Sequence, residues 1–180
     1  MKIQYLSHAG ILIEDKNTII IDPWLNDNPL AKIKAEDITQ ADYIIATHNH
    51  FDHVNDIPII AKNTGATVVG ILETIEDLSS KGCKKTIGCN IGGKINLKGV
   101  ELLFTQAFHS MTSNPSGVII FLNNKTIYHA GDTGLFGDMK LIGEIYPIDL
   151  AFLPVGGHFT MGPEEANIAI KLLQPKKIVP

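Results

Sequence analysis

The stretch that decides the fold is Thr47-His48-Asn49-His50-Phe51-Asp52-His53, which directly follows the apolar run Tyr43-Ile44-Ile45-Ala46. Imidazole nitrogens and carboxylate oxygens are ligands that a borderline-soft divalent ion such as zinc accepts. Residues two apart on an extended backbone point to the same face, so His48 and His50 can bind one ion together. Asp52 and His53 come where the chain should turn and can reach a second ion. The spacing predicts two adjacent metal ions rather than a polar loop with incidental histidines.

Other candidate site residues follow apolar segments elsewhere in the chain. They are His8, His109, Asp132 and His158, each beside a glycine or another small residue. Side chains at the ends of strands lie on a rigid scaffold, which suits binding and catalysis. The alternatives are a turn aspartate that bonds its own backbone and histidines that only pack or stabilise turns. His129 and Asp22 are either hydrogen-bond partners of metal-binding groups or purely structural residues.

Composition limits the classes of partner. The chain of 180 residues has a net charge of −4, and all 15 basic residues are lysine. Without arginine there is no bidentate fork for phosphates or guanine edges, which disfavours nucleic acid. No apolar run is long enough to span a membrane, and the N-terminus has no signal-peptide core. Cys83 and Cys89 are expected to be reduced thiols, which predicts a cytoplasmic protein.

The hydrophobic pattern predicts one α/β domain over residues 1–180. Strands and helices alternate, with antiparallel hairpins among them, and this favours helices flanking two mixed sheets. The expected strands are 3–7, 10–14, 18–22, 43–47, 67–71, one within 97–108, 117–122, 125–129 and 149–153. The expected helices are 55–63, 73–81, 138–146 and 163–173. Lys176 to Pro180 is interpreted as the start of another buried strand.

Several short phrases carry a family resemblance. They are His8-Ala9-Gly10, Ile21-Asp22-Pro23, the Thr47–His53 stretch, His129-Ala130-Gly131-Asp132-Thr133 and Leu153-Pro154-Val155-Gly156-Gly157-His158-Phe159-Thr160-Met161. The chain resembles the metallo-β-lactamase superfamily, in the branch of metal-dependent hydrolases related to ascorbate 6-phosphate lactonase. The resemblance implies an αββα four-layer sandwich.

The resemblance also implies a ligand set. His48, His50 and His109 would hold the first metal, Asp52 and His53 the second, and Asp132 would bridge both. In this branch a further histidine for the second metal follows a Val-Pro pair, and this sequence ends at Val179-Pro180. We hypothesise that the chain is truncated and lacks the C-terminal strand and helix of the fold. The second site is then expected to be open and weaker than the first.

The expected activity is metal-dependent hydrolysis by a metal-activated hydroxide. Asp52 would orient the hydroxide, and His158 or His8 would contact the substrate. Two divalent ions, zinc or alternatively manganese, outweigh the charges of Asp52, Asp132 and a hydroxide, which favours a small anionic substrate: a lactone, phosphoester or amide. Homo-oligomers are common among related enzymes. The alternatives are a non-catalytic metal-binding protein and a metal-dependent nuclease.

Overall fold

The computed structural model describes residues 1–110 and 113–180. The described residues form two compact units. The first comprises residues 1–90 with 113–114, and the second comprises residues 91–110 and 115–180. Each unit contains one mixed β-sheet and its own helices. The α/β class with two mixed sheets, predicted from the alternation of elements, is confirmed.

The described part of the first unit contains a six-stranded sheet in sequential order. Its strands are β1 (Lys2–Ser7), β2 (Gly10–Glu14), β3 (Thr18–Ile21), β4 (Tyr43–Ala46), β5 (Thr67–Ile71) and β6 (Thr86–Cys89). Strands β1 to β3 pair antiparallel, and β3 to β6 pair parallel. The three isoleucines of β3 are fully buried, as expected for a central strand with both faces covered. The carboxyl ends of β3, β4 and β5 consequently lie at one edge of the sheet.

Helices of the first unit cover part of its sheet. They are a 3₁₀ turn (Ala35–Asp37), α1 (Phe51–Val54), α2 (Ile57–Thr64) and α3 (Leu72–Ser80). The core joins Ile20, Ile44 and Val68 of the sheet to Ile60 of α2 and Leu78 of α3, all of them buried. Helix α2 has Pro58 in its first turn and ends at Gly65, whose φ of 71° is a left-handed cap.

The described part of the second unit also contains a six-stranded sheet, in the order β12-β11-β10-β9-β8-β7. Its strands are β7 (Lys94–Leu97), β8 (Val100–Gln106), β9 (Ser116–Leu122), β10 (Lys125–His129), β11 (Leu150–Phe152) and β12 (Ile178–Val179). Helices α4 (Met139–Ile145) and α5 (Pro163–Leu173) pack on it. Their core includes Ile119, Tyr128, Met139, Ala151 and Leu173.

Several elements differ from the sequence expectation, among them the 3₁₀ turn (Ala35–Asp37), which was not predicted. Strands β6 and β7 were not predicted, because each has only four residues and two of them are polar or glycine. Helix α1 forms where only a turn was expected. The strand at the C-terminus forms as predicted, but the prediction that it is buried is wrong for Ile178, whose side chain is 42% exposed. Strand β12 is the edge strand of the described sheet, which explains this exposure.

The cysteines are free thiols, as expected. Cys83 is buried, and desolvation raises its pKa. Burial raises the pKa of Cys89 to about 12. Both thiols therefore stay protonated at neutral pH and are poor nucleophiles. Covalent catalysis by cysteine is disfavoured on this ground.

Asp149 joins three segments of the second unit. Its carboxylate accepts hydrogen bonds from Lys176 Nζ (2.8 Å) and from the Thr126 backbone N–H (3.0 Å). The bond from Lys176 is the main reason why the pKa of Asp149 falls to about 2. The folded state therefore favours the charged carboxylate.

We expect Asp149→Asn to lower the free energy of unfolding at pH 7 by about 1 kcal/mol. The effect is small because Lys176 is exposed and solvent screens its ion pair with Asp149. An unfolded aspartate has a pKa of about 3.9. The depressed folded pKa means that the wild-type advantage is present above pH 4 and is lost as the pH falls through about 2. Urea denaturation across this range measures it, with Glu144→Gln as the surface control. A difference that does not change with pH would contradict the assignment.

Candidate metal centre

Thr47 orients the first histidine of the cluster. It follows β4 and is fully buried. Its hydroxyl donates to Asp22 Oδ2 (2.6 Å). Thr47 Oγ1 can therefore accept the Nδ1–H of His48 (2.9 Å). His48 Nε2 then carries the lone pair, and it lies 3.0 Å from His50 Nδ1. Two nitrogens bound to one tetrahedral zinc lie about 3.3 Å apart, given Zn–N bonds of about 2.0–2.1 Å. The two imidazoles therefore have the spacing of ligands to one ion.

Asp22 is the hydrogen-bond centre beneath the histidines. It follows β3, is fully buried and has a φ of 44°, a conformation that aspartate tolerates better than most residues. Oδ1 accepts the Thr47 backbone N–H (2.8 Å), and Oδ2 lies 2.9 Å from His53 Nδ1. Because a carboxylate only accepts, His53 donates through Nδ1, and its Nε2 is the nitrogen that can bind a metal. Of the two roles that the sequence left open for Asp22, the hydrogen bond to His53 agrees with the supporting one.

Asp52, His53 and His8 form a second group of potential ligands in the first unit. One ligand atom from each lies within 4.8 Å of the other two. Helix α1 begins at Phe51 and displays Asp52 and His53, while His8 comes from the turn between β1 and β2. His8 Nε2 lies 3.1 Å from Asp52 Oδ2. This hydrogen bond is the main reason why the pKa of Asp52 is lowered, so the carboxylate is charged at neutral pH.

The residue between His48 and His50 is also fixed by hydrogen bonds. Ser113 Oγ donates to the Asn49 side-chain oxygen (3.1 Å). The same hydroxyl lies 3.0 Å from Thr74 Oγ1, at the start of α3. Sequence reasoning missed Thr47, Asn49, Thr74 and Ser113. Thr47 and Asn49 lie next to the histidines in the sequence, but their hydrogen-bond partners lie far from them along the chain, so their roles could not be predicted.

In the second unit, His109 and Asp132 lie near each other. His109 Nδ1 donates to the Phe159 backbone carbonyl (3.1 Å), which leaves the lone pair on Nε2. His109 Nε2 lies 3.8 Å from Asp132 Oδ2. The tautomer of His109 is thus the one that metal binding through Nε2 requires.

Buried groups hold the loop that carries Asp132. Thr133 is fully buried, and its hydroxyl accepts the Phe108 backbone N–H (2.9 Å) while donating to the Gly134 carbonyl (2.7 Å). The Gly131 N–H lies 3.2 Å from His129 Nδ1. His129 therefore shapes the turn before Asp132, which agrees with a supporting role.

His158 lies in a turn directly before Phe159, the residue whose backbone carbonyl contacts His109. Its φ of 48° is left-handed, and its ring packs edge-on against Phe159, with centroids 4.3 Å apart. The Met161 backbone N–H donates to the Thr133 carbonyl (2.9 Å), which ties this turn to the Asp132 loop. Phe159, which holds His109 through its carbonyl, has a side chain that is 73% exposed. The assignment of His158 as a catalytic residue stays a prediction.

Comparison with known proteins decides the family. A family model described as a beta-lactamase superfamily domain matches residues 17–180. The chain belongs to this superfamily. It is 46% identical to a UPF0173 metal-dependent hydrolase of Thermofilum pendens, over 99% of this chain and 82% of that protein. A UPF0173 metal-dependent hydrolase of Korarchaeum cryptofilum is 45% identical over 100% of this chain and 82% of that protein. The chain is therefore a member of the UPF0173 metal-dependent hydrolases.

Solved structures agree at the level of the fold. Igni18, a metallo hydrolase from Ignicoccus hospitalis, matches with a TM-score of 0.92 and 42% identity, over 99% of this chain and 80% of that one. The resemblance to metallo-β-lactamase folds predicted from the motifs is thus confirmed. Among the described residues, no helix combines the length and apolar character needed to cross a membrane.

Proposed function

We propose that this protein is a zinc-dependent hydrolase of small anionic molecules that cleaves a lactone, phosphoester or amide bond. The observation that carries the proposal is the paired orientation of His48 and His50. Thr47 accepts the Nδ1–H of His48, and the opposite nitrogen of that ring lies 3.0 Å from a nitrogen of His50. A buried histidine needs hydrogen-bond partners in any role, but packing alone does not require two ring nitrogens to lie at the spacing of ligands to one ion.

The side chains of the first unit fit a divalent cation. His48 and His50 offer imidazole nitrogens, and Asp52 and His53 offer a charged carboxylate oxygen and a further imidazole. Nitrogen donors with one or two carboxylates suit zinc, with manganese as the second candidate. When bound, such ions lower the pKa of a water molecule and polarise the bond to be broken.

Asp52 has the central role among the protein groups. Its charged carboxylate can accept a hydrogen bond from the attacking water and hold it in line with the scissile bond. Asp22 and Thr47 keep His53 and His48 in fixed tautomers, so the groups need no rearrangement when substrate arrives. His158 or His8 would contact the substrate.

The resemblance assigns His109 and Asp132 to the same dinuclear centre, and we retain this as part of the proposal. The tautomer of His109 supports this assignment, because the Phe159 backbone carbonyl accepts the Nδ1–H of His109 and leaves the lone pair on Nε2. A centre in which two cations outweigh two carboxylates attracts anionic substrates. The proposed partner is accordingly a small phosphorylated or carboxylated molecule in the cytoplasm, not nucleic acid or membrane. We also propose a homo-oligomer, which size-exclusion chromatography with light scattering tests.

The experiment combines metal analysis with a substrate panel. Purified protein is stripped with chelator, reloaded with zinc or manganese, and assayed on lactones, phosphoesters and amides with and without an anionic group. We expect about two bound equivalents and turnover that chelator abolishes and metal restores. Preference for the anionic member of each matched pair supports the substrate class. Metal binding without turnover on any member would instead identify a non-catalytic metal-binding protein, and hydrolysis of oligonucleotides alone a nuclease.

A further inference from the structure

His8 is held in an unusual backbone conformation in the turn between β1 and β2. Its φ of 53° lies in the left-handed region, which histidine enters more readily than most residues but at some cost. The ring lies edge-on to Trp24 on one side and to His53 on another, with centroids 5.3 Å apart in both pairs. This packing fixes the direction of the imidazole and points Nε2 at Asp52, 3.1 Å away.

We propose that His8 is a metal ligand that binds one divalent cation together with Asp52 and His53. The inference rests on the proposed function, in which Asp52 and His53 already hold an ion. The resemblance gives His8 no part in binding metal. The geometry adds it, because one ligand atom from each of the three residues lies within 4.8 Å of the others. Two imidazoles and a carboxylate are a common set of three protein ligands to zinc.

The orientation of each group supports coordination. His53 donates its Nδ1–H to Asp22, so the lone pair lies on Nε2. Asp52 is charged, and its Oδ2 is the atom that approaches His8 Nε2. The hydrogen bond between His8 Nε2 and Asp52 Oδ2 lies where a cation bound by both atoms would lie. The contact with substrate that the sequence predicts for His8 is less compatible with this direction of Nε2.

Exposure indicates where substrate would enter. His53 is fully buried, whereas the side chains of Asp52 and His8 are 25% and 39% exposed. An ion held by these three residues would be supported from below by His53 and Asp22 and open to solvent on the side of His8. A three-ligand site with an open position is the arrangement of catalytic rather than structural zinc.

Two variants separate metal coordination from a hydrogen bond or a packing role. His8→Asn keeps a residue that tolerates left-handed φ and an amide N–H donor, but it removes the imidazole. His8→Ala removes both. The matched control is Tyr5→Ala, which removes an exposed ring from β1 of the same hairpin. Bound zinc is counted by elemental analysis, its affinity is measured by competition with a chelator, and cobalt-loaded protein is compared by visible absorption.

We expect both His8 variants to bind the ion of this site at least about 10-fold more weakly and to change the cobalt absorption spectrum, while Tyr5→Ala matches wild type. Wild-type stoichiometry, affinity and spectrum in His8→Asn would overturn the inference, even if His8→Ala failed to fold. If the wild type itself binds no metal, the proposed function fails. If it binds metal and hydrolyses substrate but the His8 variants bind identically, only the role of His8 is wrong.

Discussion

Asp52→Asn is expected to reduce kcat/KM by about 10²- to 10⁴-fold on whichever substrate of the panel turns over fastest. Asparagine has nearly the same shape, so the fold should be retained. It has no negative charge, which weakens its binding to a cation, and one of its two oxygen acceptors becomes an amide donor. The attacking water would lose the carboxylate that orients it.

The matched control for Asp52→Asn is Asp27→Asn. Asp27 is an exposed carboxylate of the same unit, and it accepts a hydrogen bond from the Asn55 side chain (3.2 Å). This control should leave activity and metal content unchanged. Steady-state kinetics and elemental analysis measure the effect. A loss smaller than about 10-fold in Asp52→Asn would contradict the central role of this carboxylate in the proposed mechanism.

Asp22→Ala is expected to have the second large effect, on both stability and metal binding. The substitution removes the acceptor of the Thr47 N–H, the Thr47 hydroxyl and the His53 ring N–H, all of them buried. Leaving buried donors unpaired and breaking the contact with His53 should cost about 3–5 kcal/mol of unfolding free energy. Because His53 also loses the partner that fixes its tautomer, metal affinity should fall about 10- to 100-fold.

Two comparisons separate these effects of Asp22. Asp56 is also a buried aspartate of the first unit, and it accepts the backbone N–H groups of Leu25 and Asn26. Asp56→Ala should lose comparable stability with little change in metal affinity, because neither partner is a proposed ligand. Urea denaturation of the metal-free protein and zinc titration of the folded protein measure the two quantities. Equal losses of metal affinity in both variants would show that Asp22 acts only through the fold.

Much of the fold is readable from local patterns. The runs Ile19–Ile21 and Tyr43–Ala46 are apolar throughout, and both lie in central strands of one sheet. Helix α5 was predicted because Pro163 can begin a helix, and it matches its expected bounds. Strand β6 was missed because it contains Gly88 and alternates weakly. It forms because the edge of β5 supplies parallel partners, which are tertiary neighbours distant in sequence.

The candidate site also has residues that the sequence predicted and residues that it did not. His48, His50, Asp52 and His53 could be proposed as ligands from the sequence, because four potential ligands of two residue types lie within six positions. For Asp22 the sequence allowed two roles, a hydrogen-bond partner of a metal-binding group or a purely structural residue. It could not choose between them, since the hydrogen bond to His53 spans 31 residues. Thr47 had no signal of its own, because a buried threonine after a strand is ordinary until its partners are known.

The sequence by itself determined the family, the α/β class and the residues proposed to bind metal, because these depend on local spacing and on hydrophobic period. Only the tertiary structure decided which nitrogen of His48, His53 and His109 carries the lone pair, since that depends on acceptors supplied by other strands and loops. It also decided that His8, far from the histidine cluster in sequence, lies 3.1 Å from Asp52. The sequence does not predict a contact between residues so far apart along the chain. The contact arises because β1, β2 and α1 are packed in one compact unit.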